Sequence, residues 1–332
     1  MTPSFPKLSF LVVFPAYSYN DFTLKNAPDL SIDLAPSRGF KLANPVLAAS
    51  GTFGYGNELA PIVDIQRLGA IICKGTTLKP RIGNPQPRLA ETPQGMLNAI
   101  GLQNMGVETL IRDKAPLWAG WQVPVIVNIA GESVAEYAEI AARLDGVPGV
   151  AGLEVNISCP NVACGCLEFG SDATSAAAVT TAVRGATKLP IMVKLSPNAA
   201  NIVNIAKAVV QAGADAVSLI NTLKGLAIDI KKRRPVLGNV TGGLSGPAIK
   251  PVALALVYAV AGSVDVPVIG GGGIATAEDA LEFIMAGATA VEVGTVTFLD
   301  PSSALSVIDG IADFLQQEDV PNVAALIGCA RV

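Results

Sequence analysis

The feature that most constrains this chain is a unit repeated along it: a short β-branched run, a polar or glycine-rich end, then an alanine-rich amphipathic stretch. Eight runs open such a unit, at 46–50, 70–75, 125–129, 152–157, 191–195, 216–221, 268–271 and 290–294. Each is apolar almost without interruption, which suits a strand covered on both faces, as in parallel sheets. Helical periodicity follows several of them, at 133–144, 175–187, 198–212, 276–286 and 303–316. Two of these stretches open with a cap: Ser133 has Glu136 three residues on, and Thr276 has Asp279.

Eight alternating βα units predict an α/β fold closed as a (β/α)8 TIM barrel, with a doubly wound open sheet as the structural rival. A barrel takes roughly 250 residues, so 332 residues predict one barrel with insertions. Two connections are long enough to hold them: 76–122 after the second strand and 222–266 after the sixth. In a barrel both fall on the βα side, where active-site loops lie. Residues 29–332 are read as this single barrel, and 1–28 as a poorly ordered extension. The LSFLVVFP run (8–15) in that extension looks like a signal-peptide core but lacks a small-residue cleavage site.

A chain that is 51% hydrophobic and 15% charged can build a large core. Its net charge of −4 argues against a nucleic-acid surface, which shows a clustered basic excess. The one dense basic run, Lys231 to Arg234, reads as a solvated face. No apolar run reaches the ~18 residues of a membrane span. Cys73, Cys159, Cys164, Cys166 and Cys329 are too few for a secreted disulfide scaffold of this length, so a reducing, cytoplasmic location is expected.

The strand ends carry the chemistry. In order they are Ser50, Lys74-Gly75, Asn128, Asn156 with Cys159 just beyond, Lys194, Asn221-Thr222, Gly272-Gly273 and Gly294-Thr295. Any one of these is an ordinary strand end; as a set in a closed barrel they converge on one pocket. Asparagine amides match a planar ring with alternating C=O and N–H groups. The lysines supply positive charge, one for an anionic reduced ring and one for an anionic substrate. The glycines after the seventh and eighth strands suit a phosphate approached by backbone N–H groups. VIGGGGIA (268–275) also contains a G-x-G-x-x-A match to the dinucleotide fingerprint, but Glu292 lies inside the next strand instead of closing it. The chain has no histidine, which removes Ser-His-Asp chemistry. No carboxylate cluster is expected at the strand ends, so no metal is expected either. A thiol or a lysine is left for proton transfer. Cys159, Cys164 and Cys166 have the spacing of neither a zinc pair nor an iron–sulfur set.

These motifs resemble the dihydroorotate dehydrogenase family, nearest its class 1B, NAD-linked catalytic subunits. The resemblance runs from about Leu30 to the C-terminus and is carried by ASGTFGYG (49–56), KGTTLKPRIGNPQPR (74–88), GMLNAIGLQN (95–104), NISCPN (156–161) and INT (220–222). The IGLQN wording and the FGSD segment (169–172) favour class 1B over the fumarate-using class 1A. The resemblance implies oxidation of (S)-dihydroorotate to orotate in de novo pyrimidine (UMP) biosynthesis. It makes Cys159 the base that takes the C5 proton while hydride leaves C6 for flavin N5. It assigns one FMN to Ser50, Lys74, Gly75, Asn128, Asn156, Lys194, Ile220, Gly246, Gly272, Gly273, Gly294 and Thr295. It assigns substrate to Lys74, Asn98, Ala99, Ile100, Gly101, Leu102, Asn156, Asn161, Asn221 and Thr222. It implies a homodimer of this chain joined to an electron-transfer subunit carrying FAD and a [2Fe–2S] cluster, in a heterotetramer. In one place the chain departs from the family: paired glycines are usual after NISCPN, and here Cys164 and Cys166 flank Gly165. Another FMN barrel acting on a dihydropyrimidine, and a class 1A enzyme, remain open beside this reading. A tRNA dihydrouridine synthase is disfavoured by the acidic charge, and a redox-silent phosphate-binding barrel would hold no flavin.

Overall fold

A computed structural model describes residues 27–157 and 169–332. Eight parallel strands close into a barrel, each hydrogen-bonded to the next in the chain and the last to the first. They are Val46–Ala48, Ala70–Ile72, Val125–Ile129, Gly152–Asn156, Ile191–Lys194, Ala216–Leu219, Val268–Gly271 and Ala290–Val293. Closure is made where Val291, Glu292 and Val293 pair with Val46, Leu47 and Ala48. The eight expected strands are all present, and the open sheet is ruled out by that last ladder. Nearly every strand residue is buried, which is why the runs read as continuous apolar segments instead of alternating ones.

Outside the barrel lie the helices Val134–Leu144, Ala173–Ala186, Ile202–Gln211, Lys250–Ala261, Ala277–Met285 and Ser303–Gln317. The Ser133 hydroxyl accepts from the Glu136 amide. Thr276 and Asp279 form a reciprocal capping box. The helix Lys250–Ala261 escapes a periodicity reading because it is apolar all round and no side chain caps its N-terminus. The short helices Val107–Asp113 and Ala115–Trp118 also lack a side-chain cap.

The N-terminal end of the barrel is closed by the hairpin of Ile32–Ala35 and Phe40–Leu42, whose Ile32, Leu34 and Leu42 join the main core. Asp215, just before the sixth strand, ties this end together. It accepts from Ser37 at 3.1 Å, Arg38 at 3.2 Å, Arg184 at 2.9 Å and the Ile191 amide at 2.9 Å.

The two long connections meet at the other end. Leu89–Thr92 and Gly95–Asn98 from the first pair with Thr241–Ser245 and Leu223–Leu226 from the second, giving one four-stranded antiparallel sheet. This sheet has its own small core of Leu97, Ala99 and Leu237. Among the described residues no helix is long and apolar enough to cross a membrane. Lys231, Lys232, Arg233 and Arg234 are all exposed on the insertion.

Candidate active site

A cavity of about 730 Å³ opens at the C-terminal ends of the strands, between the barrel mouth and the added sheet. It is large enough for a cofactor and a small substrate together, since ligand pockets run from about 300 to 1,000 Å³. Its wall brings together Ser50, Lys74, Gly75, Asn128, Asn156, Lys194, Ile220, Gly246, Gly272, Gly273, Gly294 and Thr295. Asn98, Ile100, Gly101, Leu102, Asn221 and Thr222 line it as well. Ala99 does not: alternation along the strand turns it into the small core with Leu97 and Leu237. Cys159 and Asn161 lie outside the described residues, as do Cys164 and Cys166.

The wall is built by register. Asn128 stands opposite Glu154, Asn156 opposite Lys194, Lys194 opposite Ser218, and Gly271 opposite Glu292. The uppermost interior layer of this barrel is therefore polar, where apolar side chains usually fill such layers. Two carboxylates come together there, which corrects the expectation that no carboxylate cluster forms at the strand ends. Residue order hid it, because Glu154 and Glu292 are 138 positions apart (292 − 154), and each reads alone as an oddity within an apolar run.

The same layer gives Lys194, expected to supply positive charge to a flavin, two carboxyl partners. Its ammonium is buried and donates to Glu154 at 3.2 Å and to Glu292. Burial opposes the charged amine, but the two carboxylates outweigh it and hold the lysine above its ordinary range. Burial likewise opposes charge on Glu154. Lys194 outweighs it, helped by hydrogen bonds from Glu292, Asn128 and Ser218, and the carboxyl ends below its usual range. Glu292 goes the other way: burial raises it, and the neighbouring Glu154 charge raises it further. Cys73, beneath the second strand's end, is kept a thiol by burial, which pushes it up to about 12.

Lys74 differs from Lys194. It is half-buried at the mouth, with no ion pair among the described residues. Burial draws its pKa down from the ordinary lysine value. With Arg88 and Lys224, which line the same cavity and likewise have no ion pair among the described residues, it is a cation available to meet an anion.

The glycine end of the cavity presents backbone donors. Among the described residues, the amides of Gly273, Thr295 and Val296 have no hydrogen-bond partner. Gly273 has φ +86°, and a Cβ there would come 2.9 Å from the Gly246 carbonyl oxygen and the Lys250 amide. Only glycine fits such a left-handed, crowded position. The Thr295 hydroxyl donates to Ser245 at 2.8 Å, which fastens the added sheet to the eighth strand. The layout is an anion cradle of backbone N–H groups beside a wall of amides and cations.

Fold and cavity together define a (β/α)8-barrel enzyme whose site is assembled from strand ends and two inserted segments. The sequence pattern of dihydroorotate dehydrogenase matches residues 36–315. The chain is 58% identical, over 301 residues, to a dihydroorotate dehydrogenase B (NAD(+)) catalytic subunit of Geotalea uraniireducens, covering 91% of this chain and 98% of that protein. Proteins of the same name are 56% identical in Pelobacter propionicus, over 91% of this chain and 98% of that one, and in Desulforudis audaxviator, over 88% and 95%. This chain belongs to the dihydroorotate dehydrogenase family.

Proposed function

We propose that this protein oxidises dihydroorotate to orotate in pyrimidine synthesis, as the FMN-bearing catalytic subunit of an NAD-linked dihydroorotate dehydrogenase. The observation that carries the reading is the gathering of Lys74, Asn128, Asn156, Asn221 and the Gly273–Thr295 amide cradle around one cavity, in a member of this family.

The residues fit FMN. Three unpartnered amides suit its phosphate, and Gly272 and Gly273 let the backbone take the left-handed turn that presents them, with no room for a Cβ against Ala253 at the first or the Gly246 carbonyl at the second. Ser50, Lys74, Gly75, Asn128, Asn156, Lys194, Ile220, Gly246, Gly294 and Thr295 complete its assigned shell. When bound, FMN supplies the two-electron acceptor for the substrate.

The protein's own groups do the rest. Lys74 holds the carboxylate of dihydroorotate by charge-assisted hydrogen bonding. Asn98, Asn156, Asn161, Asn221 and Thr222 offer amide and hydroxyl partners to its ring, and the Ile100–Leu102 segment covers it. Ala99 serves this segment from behind, by anchoring it to the sheet core. Cys159 takes the C5 proton as general base. The added sheet keeps bulk water from the reacting atoms.

The name shared by the relatives, catalytic subunit, points to a partner subunit. We extend this to a partner bearing FAD and a [2Fe–2S] cluster, joined to a homodimer of this chain in a heterotetramer within the cytoplasm. Residues 29–332 form the one catalytic domain, preceded by the extension 1–28.

The test is anaerobic addition of dihydroorotate to the purified, yellow protein. The flavin absorbance is expected to bleach within the dead time of manual mixing, while dihydrouracil leaves it unchanged. A flavin that bleaches with dihydrouracil and not with dihydroorotate would assign the site to another dihydropyrimidine; protein that takes up no FMN would overturn the reading altogether.

A further inference from the structure

Beneath the cavity, one carboxyl oxygen has no assigned work. Glu292 is 5% exposed and lines the cavity wall. Its Oε2 accepts from Lys194, while no N–H donor reaches its buried Oε1, and the carboxyl it faces is that of Glu154, with which it shares a side-chain hydrogen bond. Glu154, which shares the same lysine, is fully provided for: Oε1 accepts from Lys194 and Ser218, and Oε2 from Asn128. Two carboxyls thus compete for one ammonium, and the donors are divided unequally between them.

The geometry points to Glu292 as a positioning residue that carries a proton in the resting site and, through Lys194, sets the charge beneath the ring that occupies the cavity. This rests on the FMN reading above and deepens it. With Glu154 ionised, Lys194 charged and Glu292 neutral, the buried cluster has no net charge. With Glu292 ionised as well, the cluster is negative. Such a charge, little screened in a buried site, disfavours the electron-rich, reduced state of an adjoining ring. Reduction therefore favours the protonated form of Glu292.

The groups facing Glu292 are few. The fourth strand brings Glu154 and the fifth brings Lys194. The seventh presents Gly271, where a Cβ would come within 3.1 Å of that of Glu292, and the first presents Leu47. Burial first, and the Glu154 charge second, push Glu292 well above the usual carboxylate range. The proton balance is simple. Dihydroorotate is oxidised and the flavin reduced by the proposed two-electron reaction. The only added exchange is one proton, passing between solvent and Glu292, with no bond to carbon made or broken.

The experiment is the midpoint potential of the bound flavin, followed spectroscopically from mildly acidic to alkaline pH, for the holoenzyme and for Glu292→Gln and Glu292→Asp. Glutamine keeps the shape and fixes the group as neutral; aspartate keeps the acid. In the wild type the slope is expected to steepen by one proton per two electrons on the alkaline side, once the pH passes the raised Glu292 value. In Glu292→Gln the break is lost and the potential at alkaline pH is higher; in Glu292→Asp a break returns. A wild-type line without a break overturns the inference whatever the variants do, and so does a break that survives in Glu292→Gln. If flavin is bound and dihydroorotate bleaches it while that line stays straight, only the role of Glu292 fails. If no flavin is taken up, the functional reading and this inference fall together.

Discussion

At the scale of single residues, the site separates two lysines that look alike in the sequence. Lys194 is committed to two carboxylates, whereas Lys74 stands at the mouth with no ion pair among the described residues. Lys74→Ala is therefore expected to act on substrate. Loss of a hydrogen bond to a charged group costs about 1.5–3 kcal/mol, or roughly 10- to 100-fold in kcat/KM for dihydroorotate, with flavin retained. Steady-state kinetics beside a flavin absorbance ratio checks it; unchanged kcat/KM removes Lys74 from the substrate site. Cys159→Ala should keep the cofactor and lower turnover by roughly 10²- to 10⁴-fold, the usual cost of losing an acid–base group. Rapid flavin reduction by dihydroorotate in that variant would dismiss the thiol as base. Most of these side chains were legible beforehand because a polar residue ending an apolar run is conspicuous. Glu154 and Glu292 were not, since each lies within its run and its meaning comes from Lys194, one strand away from the first and three from the second around the barrel.

Among the elements, the two ends of the barrel do different work. The N-terminal end is held by Asp215, 6% exposed at its side chain, between Arg38, Arg184 and the Ile191 amide. Asp215→Ala leaves buried donors without an acceptor and is expected to cost about 3 kcal/mol. A thermal melt should show the loss, with turnover per folded molecule unaltered because the active end is untouched. At the other end, the sheet made from both insertions rests on a core of only three residues. Leu97→Ala, at a position 2% exposed, removes about 2–5 kcal/mol from a site with little else to hold it. Hydrogen exchange should quicken in Gly95–Asn98 and Thr241–Ser245 before it does in the barrel strands, and the KM for dihydroorotate should rise. Uniform exchange across the protein would show that the sheet has no separate stability. The sequence marked both insertions as long connections near the site. That they pair with each other was not readable, because antiparallel pairing between segments nearly 150 residues apart leaves no local periodicity.

For the whole molecule, the cavity is a property of closure. Residues from all eight strands reach it only because the eighth strand pairs with the first, so no fragment short of the full barrel is expected to bind flavin. The proposed electron path also belongs to this scale. The isolated chain should pass electrons from dihydroorotate to its flavin but reduce NAD only when a second subunit is added. NADH formation by the pure chain alone would contradict that division of labour.

By itself the sequence determined the class of fold and the kinds of group at the mouth, since eight doubly buried strands must be written as apolar runs and their ends are free to be polar. It determined the caps of two helices for the same local reason: an N-cap bond spans three residues. The tertiary structure alone decided which charges cancel. Whether Lys194 is an available cation or the centre of a buried Glu154–Lys194–Glu292 cluster depends on distances around a closed barrel, and Coulomb energy in a buried layer depends on those distances, whatever the order of residues along the chain.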